Sequence, residues 1–449
     1  MLGMLKTENG KYKPLLTLVL SYVVFSFIMG IAFALPLFTL DHQSVGFVNG
    51  LFTSVSAITT SGLSTVDVTE TFNYFGWLLL IINFNVGGVG IIVTNTLILL
   101  LLGKKIGFNN RMLSTLDINK LDMEGIVTIT KRILIMFWSI EIVGAIIIFF
   151  KLGYTHMNSL DKFMNAWFMS ASAVSGSGFY NTNPYIHDYA LQWILIILMI
   201  FSFIGYPVAI DVFMKIKNKL DGKNYRISTF SRIVIKFNII TIIVFALFIL
   251  GIENHNALNS YNWFQKIQYS LYMSVSTKSV GLSVISDFTK LYPITLMLFT
   301  LFMIIGGSPS SACGGVKVVS VYVIYKHIQS MFQGSNKVEY YNYKMPDQLI
   351  IKSYFLVFTF ITIALICTGI IYALHPYINL LYIWFDVVSG FTTTGFSTGA
   401  LQSMGTIAIL IIISLMFLGR IGIMNFFGAA SQVIQGKDRV TRVEGNLPL

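Results

Sequence analysis

The chain has 449 residues, 55% hydrophobic and only 11% charged, with a formal net charge of +11. A soluble protein of this length needs far more charge to cover its surface, so a soluble globular fold is excluded. Long unbroken apolar runs make it instead a polytopic α-helical membrane protein, since backbone polar groups in lipid must be satisfied within a helix.

Seven runs are each long enough for a hydrocarbon core of about 30 Å. They are Leu15 to Leu40, Phe75 to Leu102, Ile133 to Phe150, Leu191 to Met214, Ile233 to Leu250, Phe355 to Leu374 and Ile407 to Phe427. An eighth begins at Leu291 and is interrupted. The first run is too long for a signal-peptide core and shows no small-residue cleavage site after it, so it reads as a retained span. Cys313 and Cys367 both fall in membrane segments and suggest neither a disulfide framework nor a metal site.

The basic residues follow topology rather than a nucleic-acid partner. Of 30 Lys and Arg, four (Lys151, Lys162, Lys266, Lys290) fall outside if the amino terminus is inside and the spans alternate. Lys278 and Arg420 lie within the membrane region, which leaves 24 inside. They include Lys104, Lys105, Arg111, Lys120, Lys131 and Arg132 in one loop. This asymmetry places both termini in the cytoplasm. Seven outer acids (Asp41, Asp67, Glu70, Asp161, Asp188, Glu253 and Asp287) against four bases predict a slightly negative vestibule.

Between successive pairs of spans lies a shorter segment ending in Ser, Thr and Gly: Ser56 to Leu63, Ser172 to Phe179, Ser276 to Leu282 and Ser389 to Phe396. Their final glycines, Gly62, Gly178, Gly281 and Gly395, are spaced by 116, 103 and 114 residues. The unit is span, short re-entrant helix, glycine loop, span, with boundaries at 1–104, 105–217, 218–333 and 334–449. Four such units in one orientation predict a single central pore. Irregular backbone at membrane depth is tolerated only inside protein or along water, and carbonyl rings are how selectivity filters replace an ion's hydration. The expected filter comprises Ile58, Thr59, Thr60, Ser61 and Gly62; Val174, Ser175, Gly176, Ser177 and Gly178; Thr277, Lys278, Ser279, Val280 and Gly281; and Phe391, Thr392, Thr393, Thr394 and Gly395. Neighbouring hydroxyls are expected to add oxygens.

The interruption in the eighth run is Gly306, Gly307, Ser308, Pro309, Ser310, Ser311, Ala312, Cys313, Gly314 and Gly315. Four glycines and a proline break the helix there. Small residues suit a segment that fills a cavity and leaves it again. Among charges at membrane depth, Lys278 is expected behind the filter, bracing carbonyls or pairing with a carboxylate. Asp386 is either that partner or a cap on local amides. Arg420 and Lys317 are expected to hold the broken segment, with a bridge between helices as Arg420's alternative role; Glu141 is a further buried charge.

These motifs resemble the Trk/Ktr/HKT superfamily of potassium transporters over almost the whole chain. The match rests on one filter glycine per repeat, on Gly87-Gly88-Val89-Gly90, Ile204-Gly205-Tyr206-Pro207 and Gly419-Arg420-Ile421-Gly422, and above all on Gly306 through Lys317. With no leading helical pair before the first repeat, the chain looks most like a Ktr-type membrane subunit. It departs from the family in Lys278, where relatives usually carry arginine, in threonine-rich first and fourth filters, and in Cys313. The resemblance implies potassium (K+) uptake through the filter residues and an intramembrane gate at residues 306–315 with Lys317 and Arg420. It further implies a homodimer in a bacterial plasma membrane, resting on a cytoplasmic ring of RCK-type nucleotide-binding regulatory subunits. No cofactor is expected in this chain itself; any nucleotide would sit on that ring. Sodium dependence stays open, and the alternative is an alternating-access sodium/potassium symporter or a sodium-permeable relative. An intramembrane enzyme is disfavoured by the lack of a zinc motif or nucleophile context, and Gly87 to Gly90 lies inside an apolar run, not after a strand.

Overall fold

The computed structural model describes residues 14–91, 93–94, 126–154, 157–180, 188–285, 287–335, 338–340 and 343–426. Lys104, Lys105, Arg111, Lys120 and the stretch after 426 lie outside the described residues.

Four times the chain repeats an outer helix, a short helix and an inner helix. The outer helices are Pro14–Ala34, Ile126–Lys151, Thr229–Glu253 and Asp347–Leu374. They are the unbroken helices that have the length and apolarity to cross a membrane, among the described residues. Their exposed faces carry Phe27, Ile28, Ile135, Ile142, Leu247 and Phe358, as a lipid-facing surface requires. The short helices are Phe47–Ile58, Ser159–Ser175, Trp263–Ser276 and Leu380–Phe391, and the inner helices Tyr74–Val89, Tyr189–Ile204, Pro293–Ile304 and Thr406–Ile421.

Inner helices start where a polar cap or a proline breaks the preceding loop. Asn73 accepts from the amide of Gly76, Asp188 from those of Ala190 and Leu191, and Pro293 opens the third.

Their ends correct the expectation of continuous second spans. The inner helix of the first repeat stops before Gly90 (φ 106°), that of the second before Gly205 (φ 84°) and that of the fourth before Gly422 (φ 88°). In the second repeat the next helix, Tyr206–Leu220, leaves at 116° to the first. Hydropathy misses these breaks because the sequence stays apolar through them, whereas the backbone turns on one dihedral that glycine reaches without penalty. The break in the third repeat is larger. Ile305 and Val316 pair as neighbours at its neck, residues 306–315 form a loop, and Val318–Phe332 resumes the helix.

Packing closes the repeats into a ring. Inner helix one packs on short helix two, inner two on short three, inner three on short four, and inner four returns to short helix one. Three short helices are also tethered to their own outer helix by the same bond. Ser54 Oγ donates to Ser26 O (2.9 Å), Ser170 Oγ to Glu141 O (2.6 Å) and Ser274 Oγ to Ile242 O (2.7 Å). Buried serines at one register give a short, cheap crossing between helices in lipid.

Candidate functional site

Each short helix ends in a turn that reverses the chain. The residue before the filter glycine donates its amide five residues back in three repeats: Ser61 to Ser56 O (2.8 Å), Ser177 to Ser172 O (3.0 Å) and Thr394 to Ser389 O (2.9 Å). In the third, Val280 and Gly281 both reach Ser276 O. Such turns satisfy the orphan carbonyls of a helix end.

The turn puts two residues per repeat at positive φ. One is the filter glycine: Gly62 (82°), Gly178 (75°), Gly281 (73°) and Gly395 (96°). The other lies two positions earlier: Thr60 (55°), Gly176 (71°), Ser279 (72°) and Thr393 (52°). A threonine in this region costs about 1–3 kcal/mol, so the surrounding bonds must over-determine it. All three hydroxyl residues are fully buried.

The four glycines meet around one axis. A Cβ on Gly62 would fall 2.9 Å from Gly178 Cα, one on Gly178 would fall 3.3 Å from Gly281 Cα, one on Gly281 would fall 3.0 Å from Gly395 Cα, and one on Gly395 would fall 3.0 Å from Gly62 Cα. No side chain fits at any of the four, and the ring is lined by main chain. All four short helices aim their carboxyl ends, the negative ends of their dipoles, at this ring. That arrangement favours a cation.

The hydroxyls do not all turn as expected. Those of Thr59, Thr277 and Thr392 bond back to Val55 O (2.7 Å), Met273 O (2.6 Å) and Val388 O (2.8 Å), capping their own helices. Carbonyls therefore dominate the ring.

Lys278 is buried behind the ring, with Nζ 3.2 Å from Ile305 O, so it braces main chain rather than pairing with an acid. Asp386 takes the capping role. It accepts from the amides of Thr398 (2.8 Å) and Leu401 (3.1 Å) and from the hydroxyls of Ser397 and Thr398, fixing the segment that follows Gly395. Glu141 joins helices of two repeats through Trp167 Nε1 (2.8 Å) and Asn85 Nδ2 (3.3 Å).

The loop 306–315 lies against the underside of the ring. The Gly314 amide is 2.9 Å from Thr393 Oγ1 and 3.2 Å from Ser279 Oγ, and Ala312 O is 3.0 Å from Thr60 Oγ1. Thus all three hydroxyl residues at positive φ touch the loop, as does the Lys278 carbonyl, which accepts from Cys313 Sγ (3.1 Å). On its other side Ser308 N reaches Phe203 O (2.9 Å), Ala312 N reaches Ser202 O (3.3 Å) and Asn238 Nδ2 reaches Ser308 Oγ (3.2 Å). Lys317 donates to the carbonyl of Cys313. Arg420 makes no bond to the loop among those described, contrary to one expectation. Its guanidinium donates to Gly87 O and to Thr60 Oγ1 (3.3 Å), and it reaches the loop through that one hydroxyl. It is the bridge between repeats four and one. A cavity of about 330 Å³ opens beneath, lined by Tyr206, Ser310, Lys317 and Arg420 among others.

Several of the outer acids also have structural partners. Asp67 and Asp188 cap helices, and Asp188 pairs with Lys151 at 3.2 Å. Glu253 is fully buried, accepting from Tyr292 N and Thr295 Oγ1. Asp287 bonds to Thr289, whose hydroxyl and amide hold its carboxyl below the usual carboxylate range.

Sequence reasoning missed the break glycines and the docking role of Thr60, Ser279 and Thr393. The signal for the former was present: Gly90 stands 28 residues after Gly62, and Gly205 and Gly422 each stand 27 after Gly178 and Gly395.

Comparison with known proteins agrees with this geometry. The TrkH family pattern, described as a cation transport protein, matches residues 17–436. Ktr system potassium uptake protein D of Bacillus subtilis (strain 168) is 33% identical over 393 residues, 85% of each chain. Ktr system potassium uptake protein B of the same organism is 26% identical over 96% of this chain and 95% of its own. The potassium/sodium uptake protein NtpJ of Enterococcus hirae is 24% identical over 94% of both. Among solved structures, the potassium transporter TrkH from Vibrio parahaemolyticus superposes with a TM-score of 0.71 over 92% of this chain and 83% of its own, at 18% identity, a likeness of fold. With that span of pattern and that identity, this multi-pass membrane chain belongs to the TrkH family of cation transport proteins.

Proposed function

We propose that the chain takes up K+ across a bacterial plasma membrane through one cation-selective pore at the glycine ring. The observation that carries this reading is the ring itself: four glycines in mutual contact, at positive φ, with four helix carboxyl ends aimed at them. A site built of main-chain carbonyls replaces an ion's water without placing a fixed charge in its path. The names of the B. subtilis uptake proteins support K+ as the ion, and the potassium/sodium name of the E. hirae relative keeps sodium as the competitor to be tested.

The loop 306–315 is the gate in this reading. It closes the path from below and opens when it moves off Thr60, Ser279 and Thr393. Both termini face the cytoplasm. Regulation comes from outside the chain, through a membrane homodimer seated on a separate nucleotide-binding ring. A gate of this kind responds only to a partner that binds its two states with different affinity.

The test is rescue of growth in bacteria stripped of their own K+ uptake. Expression of the chain restores growth at low K+, and Gly281→Ser abolishes the rescue with unchanged membrane abundance. Rescue that survives serine at Gly281 and at Gly395 alike would remove the ring from the transport path.

A further inference from the structure

A second site lies away from the ring, on the third repeat. The outer helix Thr229–Glu253, the resumed helix Val318–Phe332 and the hairpin of Glu339–Tyr340 with Tyr343–Lys344 enclose a groove of about 670 Å³. Along the outer helix it runs from Ile233 to Val244, roughly 16 Å at the helical rise. Its composition changes along that length. The deep wall is apolar (Phe237, Ile240, Val244, Phe302), whereas Lys236 and Lys326 belong to the helical turns nearer the predicted cytoplasmic side.

Both lysines lack an ion pair among the described residues. Lys326 Nζ reaches Oε1 of Gln329 at 2.9 Å, and Lys236 is exposed seven residues into its helix, about 10 Å from the first residue. The one acid lining the groove, Glu339, is exposed and stands opposite Lys344 in the hairpin register. An unpaired ammonium at that depth, over an apolar wall, draws its counter-charge from a lipid phosphate. Aromatic rings complete the site: Tyr322 packs edge-on against Phe237 at 6.0 Å, and Tyr325 lies one turn along.

We propose that this groove binds one anionic phospholipid of the cytoplasmic leaflet, with its phosphate between Lys236 and Lys326 and an acyl chain along Phe237, Ile240 and Val244. The helix so held is the one that resumes directly after the gate loop, so the lipid steadies the lower anchor of residues 306–317. The leaflet and the gating consequence rest on the transport reading above; the binding site does not.

The experiment uses the full chain in detergent, titrated separately with phosphatidylglycerol, phosphatidylcholine and inorganic phosphate. Native mass spectrometry and thermal melting are the readouts. About a tenfold preference for phosphatidylglycerol over phosphatidylcholine is expected, with a matching rise in melting temperature. Lys236→Gln with Lys326→Gln loses the preference, and the double Lys→Arg variant keeps it. Should the double glutamine variant misfold, Lys326→Gln alone shows a partial loss. A preference that survives in the glutamine variants, or an equal melting shift from inorganic phosphate alone, overturns the lipid site. Flux in vesicles of the two lipids then tests the second half. Binding that is lost in the variants while wild-type flux ignores the lipid overturns the control of the gate and leaves the site standing. A wild type that binds the lipid but carries no K+ counts against the transport reading instead.

Discussion

Gly281 is the residue where space and dihedral agree most closely. At φ 73°, with Gly395 Cα 3.0 Å from any added Cβ and the Thr394 carbonyl nearer still, it has no room for alanine. Gly281→Ala must push the third filter away from the fourth and spread the carbonyls. Discrimination of K+ over sodium is expected to fall by about tenfold, equivalent to about 1.4 kcal/mol of ion-binding free energy. Ion competition for uptake measures it, and an unchanged ratio would contradict the assignment. Asp386 makes a different kind of prediction. Fully buried, it accepts four bonds, two of them from main-chain amides, that fix residues 397–401. Asp386→Asn leaves one of these donors facing another donor, at a cost of about 1–3 kcal/mol. A lower melting temperature in detergent checks this, whereas an unchanged one would mean that the segment holds without the carboxylate.

At the scale of elements the informative feature is the loop and what it leans on. Three bonds to Thr60, Ser279 and Thr393 hold it to the ring, and the Lys317 ammonium closes it on itself. Deleting residues 308–314 removes those contacts while leaving the glycine ring in place. Flux through purified protein is therefore expected to rise at least severalfold with little change in ion preference. Ser279→Ala should raise it less, since it removes one hydroxyl and leaves Thr393 Oγ1 at 2.9 Å from the Gly314 amide. If the deletion folds and conducts no faster, the loop is a fixed kink. The broken inner helices belong to this scale too. Gly90, Gly205 and Gly422 end the other three inner helices at positive φ, and Gly90 and Gly422 line the same cavity as Ser310 of the loop.

For the whole molecule, the repeat was legible because Gly62, Gly178, Gly281 and Gly395 each end a Ser/Thr segment and recur at near-equal spacing. The interrupted third inner helix was legible from proline and four glycines in ten residues. What stayed hidden depended on single dihedrals or on distant partners. The turn at Gly205 leaves no trace in hydropathy, and the link from Arg420 to Gly87 joins residues from opposite ends of the chain. The local partners of Asp67, Asp188, Glu253 and Asp287 were hidden in the same way. Orientation follows the basic residues alone, and it predicts that a cysteine at Asn254 reacts with an impermeant reagent from outside while one at Asn218 does not. The reverse labelling would invert the topology.

The central claim is that this chain alone forms a K+-selective path, and ion flux in liposomes holding only the purified protein tests it most directly. With equal outward gradients of potassium, rubidium and sodium, flux is expected to be highest for potassium, close behind for rubidium and lower for sodium. Replacing Gly281 with alanine should bring the three together. Sodium flux equal to potassium flux in the unaltered protein, or no flux even after deletion of residues 308–314, would contradict the account.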